Sequence, residues 1–146
     1  MSFDEAIPAT RPQLLPRIRM NCTKFGQRND RCEIVITKPL ADHLGVWNRG
    51  NLRVQIGILA DENVVRLEPG DDGYCIDRTN RERARAVRLT AFHFRDRGYP
   101  MPRHEMTECH GIKAGIDDGV PWVKFVLPRW CRRKMGETNA NSNPDL

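Results

Sequence analysis

No run in this chain approaches the ~20 consecutive apolar residues that a membrane-spanning helix requires. Its first residues also lack the continuous apolar segment of a secretion signal. A cytoplasmic protein without a membrane role is therefore expected. Cysteine is sparse and unpaired in pattern: Cys22, Cys32, Cys75, Cys109 and Cys131 are odd in number and widely spaced. No two of them have the C-x-x-C spacing of a zinc ribbon, so reduced thiols are expected rather than a disulfide framework. The signatures H-E-x-x-H, G-x-S-x-G and the P-loop are missing too. Lysine is scarce, five against nineteen arginines, within a formal charge of +5.

What is present begins with residues 34–67. Ile34, Val35, Ile36 and Thr37 make a β-branched strand that runs into a short helix. Thr37 stands where a helix cap is needed, and Pro39 falls in the first turn, where its missing N–H matters little. Leu40 and Leu44 share one face, and Gly45 can take the left-handed position that ends the helix. After a turn at residues 48–51, Leu52, Val54, Ile56 and Ile58 alternate with Arg53, Gln55 and Gly57. A second turn at residues 60–63 leads to Val64, Val65, Arg66 and Leu67 as a hairpin partner.

This order resembles the AbrB/MazE type of swapped-hairpin DNA-binding proteins. Leu44, Gly45 and Val46 stand for the family's Leu-Gly-Ile, and Gly50 with Asn51 for its Gly-Asp turn. The resemblance spans residues 18–69. Two departures set it apart: Thr37 replaces the strand-ending proline, and Ala41, Asp42 and His43 occupy the helix where arginines are common. Residues 106–127 repeat the pattern, with Met106 on Leu40, His110 on Leu44, Gly111 on Gly45, Ile112 on Val46 and Gly115 on Gly50. There Trp122, Lys124 and Val126 alternate as Leu52 to Ile58 do. Two such copies are similar to the MraZ arrangement, in which tandem repeats build one barrel.

The resemblance implies an α+β, mostly β fold: a swapped-hairpin β-barrel with short helices and two tandem repeats. Within it fall a first repeat at 17–69 and a degenerate second repeat at 87–131. Composition marks a flexible, proline-bearing arm at 1–16, a basic linker at 70–86 and a disordered basic and polar tail at 132–146. The resemblance also implies a DNA-binding transcriptional regulator that forms a homo-oligomer, without enzymatic activity or cofactor. The alternative is a protein-interaction module, an antitoxin-like or phage-encoded factor with a protein partner and no DNA contact.

Positive charge falls in three clusters: Lys24, Arg28 and Arg31; Arg78, Arg81, Arg83, Arg85 and Arg88; and Arg129, Arg132, Arg133 and Lys134 around Trp130. Arginine pairs with phosphate in a bidentate way, giving affinity without sequence preference. The residues expected to contact double-stranded DNA are Lys24, Arg28, Arg31, Arg49, Arg53, Arg132 and Arg133. His93, His104, Cys109 and His110 lie close together in sequence, but their spacing fits no ligand pattern, and His93 between Phe92 and Phe94 reads as a strand residue. No metal site is expected. Asp71 with Asp72 and Asp117 with Asp118 each precede a glycine and read as turn formers.

Overall fold

A computed structural model of the chain describes residues 15–25, 29–79 and 83–133. Among these residues the chain is mostly β, with nine strands and two short α-helices. The strands are β1 (Ile18–Phe25), β2 (Asn29–Thr37), β3 (Asn51–Ile56), β4 (Val64–Pro69), β5 (Tyr74–Thr79), β6 (Ala84–Thr90), β7 (His104–Glu108), β8 (His110–Asp117) and β9 (Val120–Val126). They form one antiparallel sheet in the order β7-β1-β2-β6-β5-β3-β4-β9-β8, curled into a half-barrel.

The two edge strands of this sheet are neighbours in the chain. β7 ends at Glu108 and pairs with β1, β8 starts at His110 and pairs with β9, and Cys109 alone joins them. One residue spans only ~3.5 Å, so the curl must bring the two edges together at that point. Cys109 is tied there by its amide, which donates to the Ile18 carbonyl at 2.8 Å.

Alternation decides what lies inside the curl. Ile18, Met20 and Cys22 from β1, Cys32, Ile34 and Ile36 from β2, and Leu52, Val65, Leu67, Val123 and Phe125 are buried in one core. Each large apolar side chain buried this way stabilises the fold by roughly 1.5–3 kcal/mol. Helix α1 (Lys38–Leu44) packs against β9, β2 and β6 and adds Leu40, Ala41 and Leu44 to that core. Its end matches the expectation: Gly45 has φ +72°, its amide donates to Asp42, and the Val46 amide donates to Ala41 at 2.9 Å. Its start does not. Thr37 makes no side-chain cap, because its hydroxyl donates to the Leu15 carbonyl and accepts from the Arg17 amide.

Other expectations also change. The basic linker at 70–86 instead holds β5 and the start of β6, paired to each other and built into the sheet. Ile58 leaves the alternation and is exposed, since β3 ends at Ile56. Residues 104–108 form a strand where the repeat places a helix, and in β9 the core side is Val123 and Phe125, not Trp122 and Lys124. His93 sits on α2 (Phe92–Arg95), not on a strand. Residues 1–14 of the arm at 1–16 and residues 134–146 of the tail at 132–146 lie outside the described residues. Among the described residues, no helix is long and apolar enough to cross a membrane.

Candidate nucleic-acid interface

Burial of one side of β3, β4 and β9, with the solvent-open β8 paired to β9, leaves the other side as a continuous outer face. On it stand Arg53 and Gln55, then Arg66 and Glu68, then Trp122 and Lys124, then Lys113 and Gly115. Register lines them up: Gln55 pairs with Arg66, Arg66 with Lys124, and Lys124 with Lys113. Three cations thus lie side by side on three adjacent strands. Like charges directly opposite each other are unfavourable in a sheet. Among the described residues, Lys113 and Lys124 have no carboxylate within ion-pair distance.

Trp122 forms the floor beside that row. Its indole lies over Gly115, where an added Cβ would come within 2.4 Å of the ring. Lys124 Nζ is 4.7 Å from the ring centre and Arg66 Cζ 5.5 Å, so both cations stand within cation–π range of it.

Glu68 sets the geometry of the arginines. It is buried, accepts from Arg53 Nη1 and Gln55 Nε2 at 3.1 Å each, and pairs with Arg66 Nη2 at 3.2 Å. Arg53 also approaches Asp72 at 3.8 Å, and Arg66 approaches Asp117 at 3.4 Å. The face therefore carries four cations against three carboxylates, with the two lysines at its β8 end left over.

Of the residues expected to contact DNA, Arg53 joins this face. Arg49 is exposed in the turn just before β3. Arg31 lies on β2, separated from β3 in the sheet by β6 and β5. Lys24 is in β1, its side chain not described, and Arg28 falls outside the described residues. The other two are engaged in holding the C-terminal segment down. Arg132 Nε donates to the Leu127 carbonyl at 2.5 Å. Arg133 pairs with Glu62 at 2.6 Å, stacks over Tyr99 at 4.5 Å and donates to the Arg97 carbonyl, leaving its side chain 15% exposed.

The other basic clusters are likewise committed in part. Arg85 is buried over the Trp47 ring at 3.5 Å, and Arg88 bridges Glu33 and Asp77 across the sheet at 2.6 and 3.2 Å. Trp130 stacks on His104 at 4.7 Å and donates to Thr107. Sequence reasoning does not single out Arg66, Lys113, Lys124 and Trp122 as a site. The W-V-K-F-V alternation is visible in the sequence, but which residues of other strands stand beside Trp122 and Lys124 depends on pairing register.

The histidines and cysteines do not converge. His93 Nε2 lies 3.4 Å from the Val54 carbonyl, and burial, aided by Arg97, pushes its pKa down against that hydrogen bond. His110 is exposed on β8, whereas Cys109 is buried with its thiol pushed up to about 12. Among the described residues no group of three or more His, Cys, Asp or Glu is placed to hold a metal ion.

Fold and site together describe a curled antiparallel sheet with one basic, tryptophan-floored outer face. Compared with protein-family models, with curated proteins and with solved structures, the chain matches none.

Proposed function

We propose that this chain binds double-stranded DNA through the outer face of β3, β4, β9 and β8, and acts as a regulator of the swapped-hairpin kind that residues 18–69 resemble. The observation that carries this reading is the in-register row Arg66, Lys124 and Lys113. Fixed by pairing, the row repels itself in the free protein and is relieved when phosphates neutralise it. Each phosphate contact also releases condensed counterions, so affinity should fall steeply with salt. In β3 the row meets Gln55, with Arg53 two residues away on the same face, and Arg49 lies four residues before Arg53 in the exposed turn.

Anisotropy of a labelled duplex from the protein's own upstream region, measured across a salt series, tests this. Replacing Lys113 and Lys124 by Glu should weaken binding and lower the slope of log affinity against log salt by about two, one for each phosphate that a lysine no longer neutralises. An unchanged slope and affinity would sink the face. A scrambled duplex as competitor separates specific from general binding.

One observation favours a protein partner instead: Ile58 and Leu59 are adjacent and exposed at 71% and 86%, with Leu59 held at φ +55°. Under that reading, Leu59→Ser abolishes partner retention and leaves duplex binding untouched.

A further inference from the structure

We infer that the free edge of β8 pairs with β8 of a second copy of this chain, antiparallel and about a two-fold axis, so that the sheets of two molecules run on as one. Within the described sheet β8 is terminal, paired to β9 on one side only. Its residues are open to solvent along most of their length, and Ile116 is 65% exposed. An unpaired strand edge is a template for another strand.

The hairpin fixes which backbone groups are free. Asp118 and Gly119 have φ +50° and +79°, a two-residue turn of the primed type. Asp117 and Val120 flank it and form a hydrogen-bonded pair. Lys113, Gly115 and Asp117 therefore turn their backbone groups toward β9, while Ala114 and Ile116 turn theirs outward.

Charge then selects the register. Placing Lys113 opposite Lys113 of the second copy is repulsive. Two residues further along, each Lys113 faces Asp117 of the other copy and each Ala114 faces Ile116, with Gly115 beside Gly115 on the axis. In that register the outward amides and carbonyls of Ala114 and Ile116 bond each other, two ion pairs form, and the exposed Ile116 is covered. A lysine on an edge strand ordinarily guards against pairing; here Asp117, four residues on, makes it complementary to its own copy. Asp117 can serve both partners, since Arg66 engages only its Oδ2, at 3.4 Å, and its side chain is 61% exposed. Because the axis is perpendicular to the sheet, the two basic faces end on the same side.

The test is the mass of the full chain in solution, without nucleic acid, by light scattering and sedimentation across a dilution series. A dimer of twice 16.8 kDa is expected. Lys113→Glu and Asp117→Lys should each weaken it about ten-fold, since either change turns both symmetric attractions into repulsions. Combining Lys113→Asp with Asp117→Lys in one chain should restore it. A monomer at every concentration overturns the inference, and so does a dimer indifferent to both single reversals. Circular dichroism separates loss of pairing from loss of fold, and because no DNA is present the result stands apart from the DNA-binding proposal.

Discussion

At the scale of single residues, Glu68 links stability to the outer face. Among the described residues it is one of two buried charged side chains, the other being Arg85. Its carboxylate holds Arg53, Gln55 and Arg66 in place. Glu68→Gln keeps the shape but removes the charge and turns part of an acceptor into a donor aimed at guanidinium groups. The half-exposed Arg53 loses little because solvent screens it, so the stability loss should be about 1–2 kcal/mol. The same change removes one negative charge from the basic face, and duplex affinity at low salt should rise. Urea unfolding and duplex anisotropy read the two effects separately. A variant both less stable and weaker in binding would mean that Glu68 does not restrain a phosphate-contacting surface.

At the scale of elements, α1 is legible in the sequence, β6 only in part, and β7 and β8 are not, for physical reasons. The sequence reads as an opening strand over Ala86 to Phe94, where the strand β6 is Ala84–Thr90. Helix α1 carries its own start and stop, with Pro39 in the first turn, a buried Leu40 and Leu44 stripe, and Gly45 at a left-handed φ. Gly45→Ala tests the stop alone. An added Cβ there meets nothing within 4 Å, so the substitution is opposed by φ only, at about 1 kcal/mol. Leu44→Ala empties a buried site and should destabilise by ~2–5 kcal/mol. Thermal melts giving the reverse order would mean that the helix is held by its cap and not by packing. By contrast, β7 and β8 are edges with much exposed surface, so residues 104–117 show no period-two pattern to read. Strand β6 is buried on both faces and hides Arg85 within it, so its arginines suggest a solvated linker. The candidate site is hidden for a related reason: Arg66, Lys124 and Lys113 are far apart in sequence and meet only through strand pairing.

At the scale of the whole molecule, the seam between the two sheet edges gathers the thiols. Cys22 and Cys32 face each other across β1 and β2, Cys109 joins β7 to β8, and Cys131 closes the last 3-10 turn (Arg129–Cys131). All four are buried and free, and their charged forms would raise one another's pKa around Cys32. Burial pushes Cys109 and Cys131 up to about 12, and Cys22 and Cys32 also upward. A raised pKa leaves the thiol protonated at mildly alkaline pH, and only the thiolate attacks a disulfide reagent. Cys75 is exposed on β5. An aromatic disulfide reagent at pH 8 should therefore titrate one thiol quickly, and Cys75→Ser should remove that fast phase. The other four should react only as fast as the seam opens, with a rate that rises with urea and reaches the full count in unfolded protein. If two or more thiols react at once in the native protein, the edges do not close over Cys109, and the continuity of the curled sheet around its core would have to be given up.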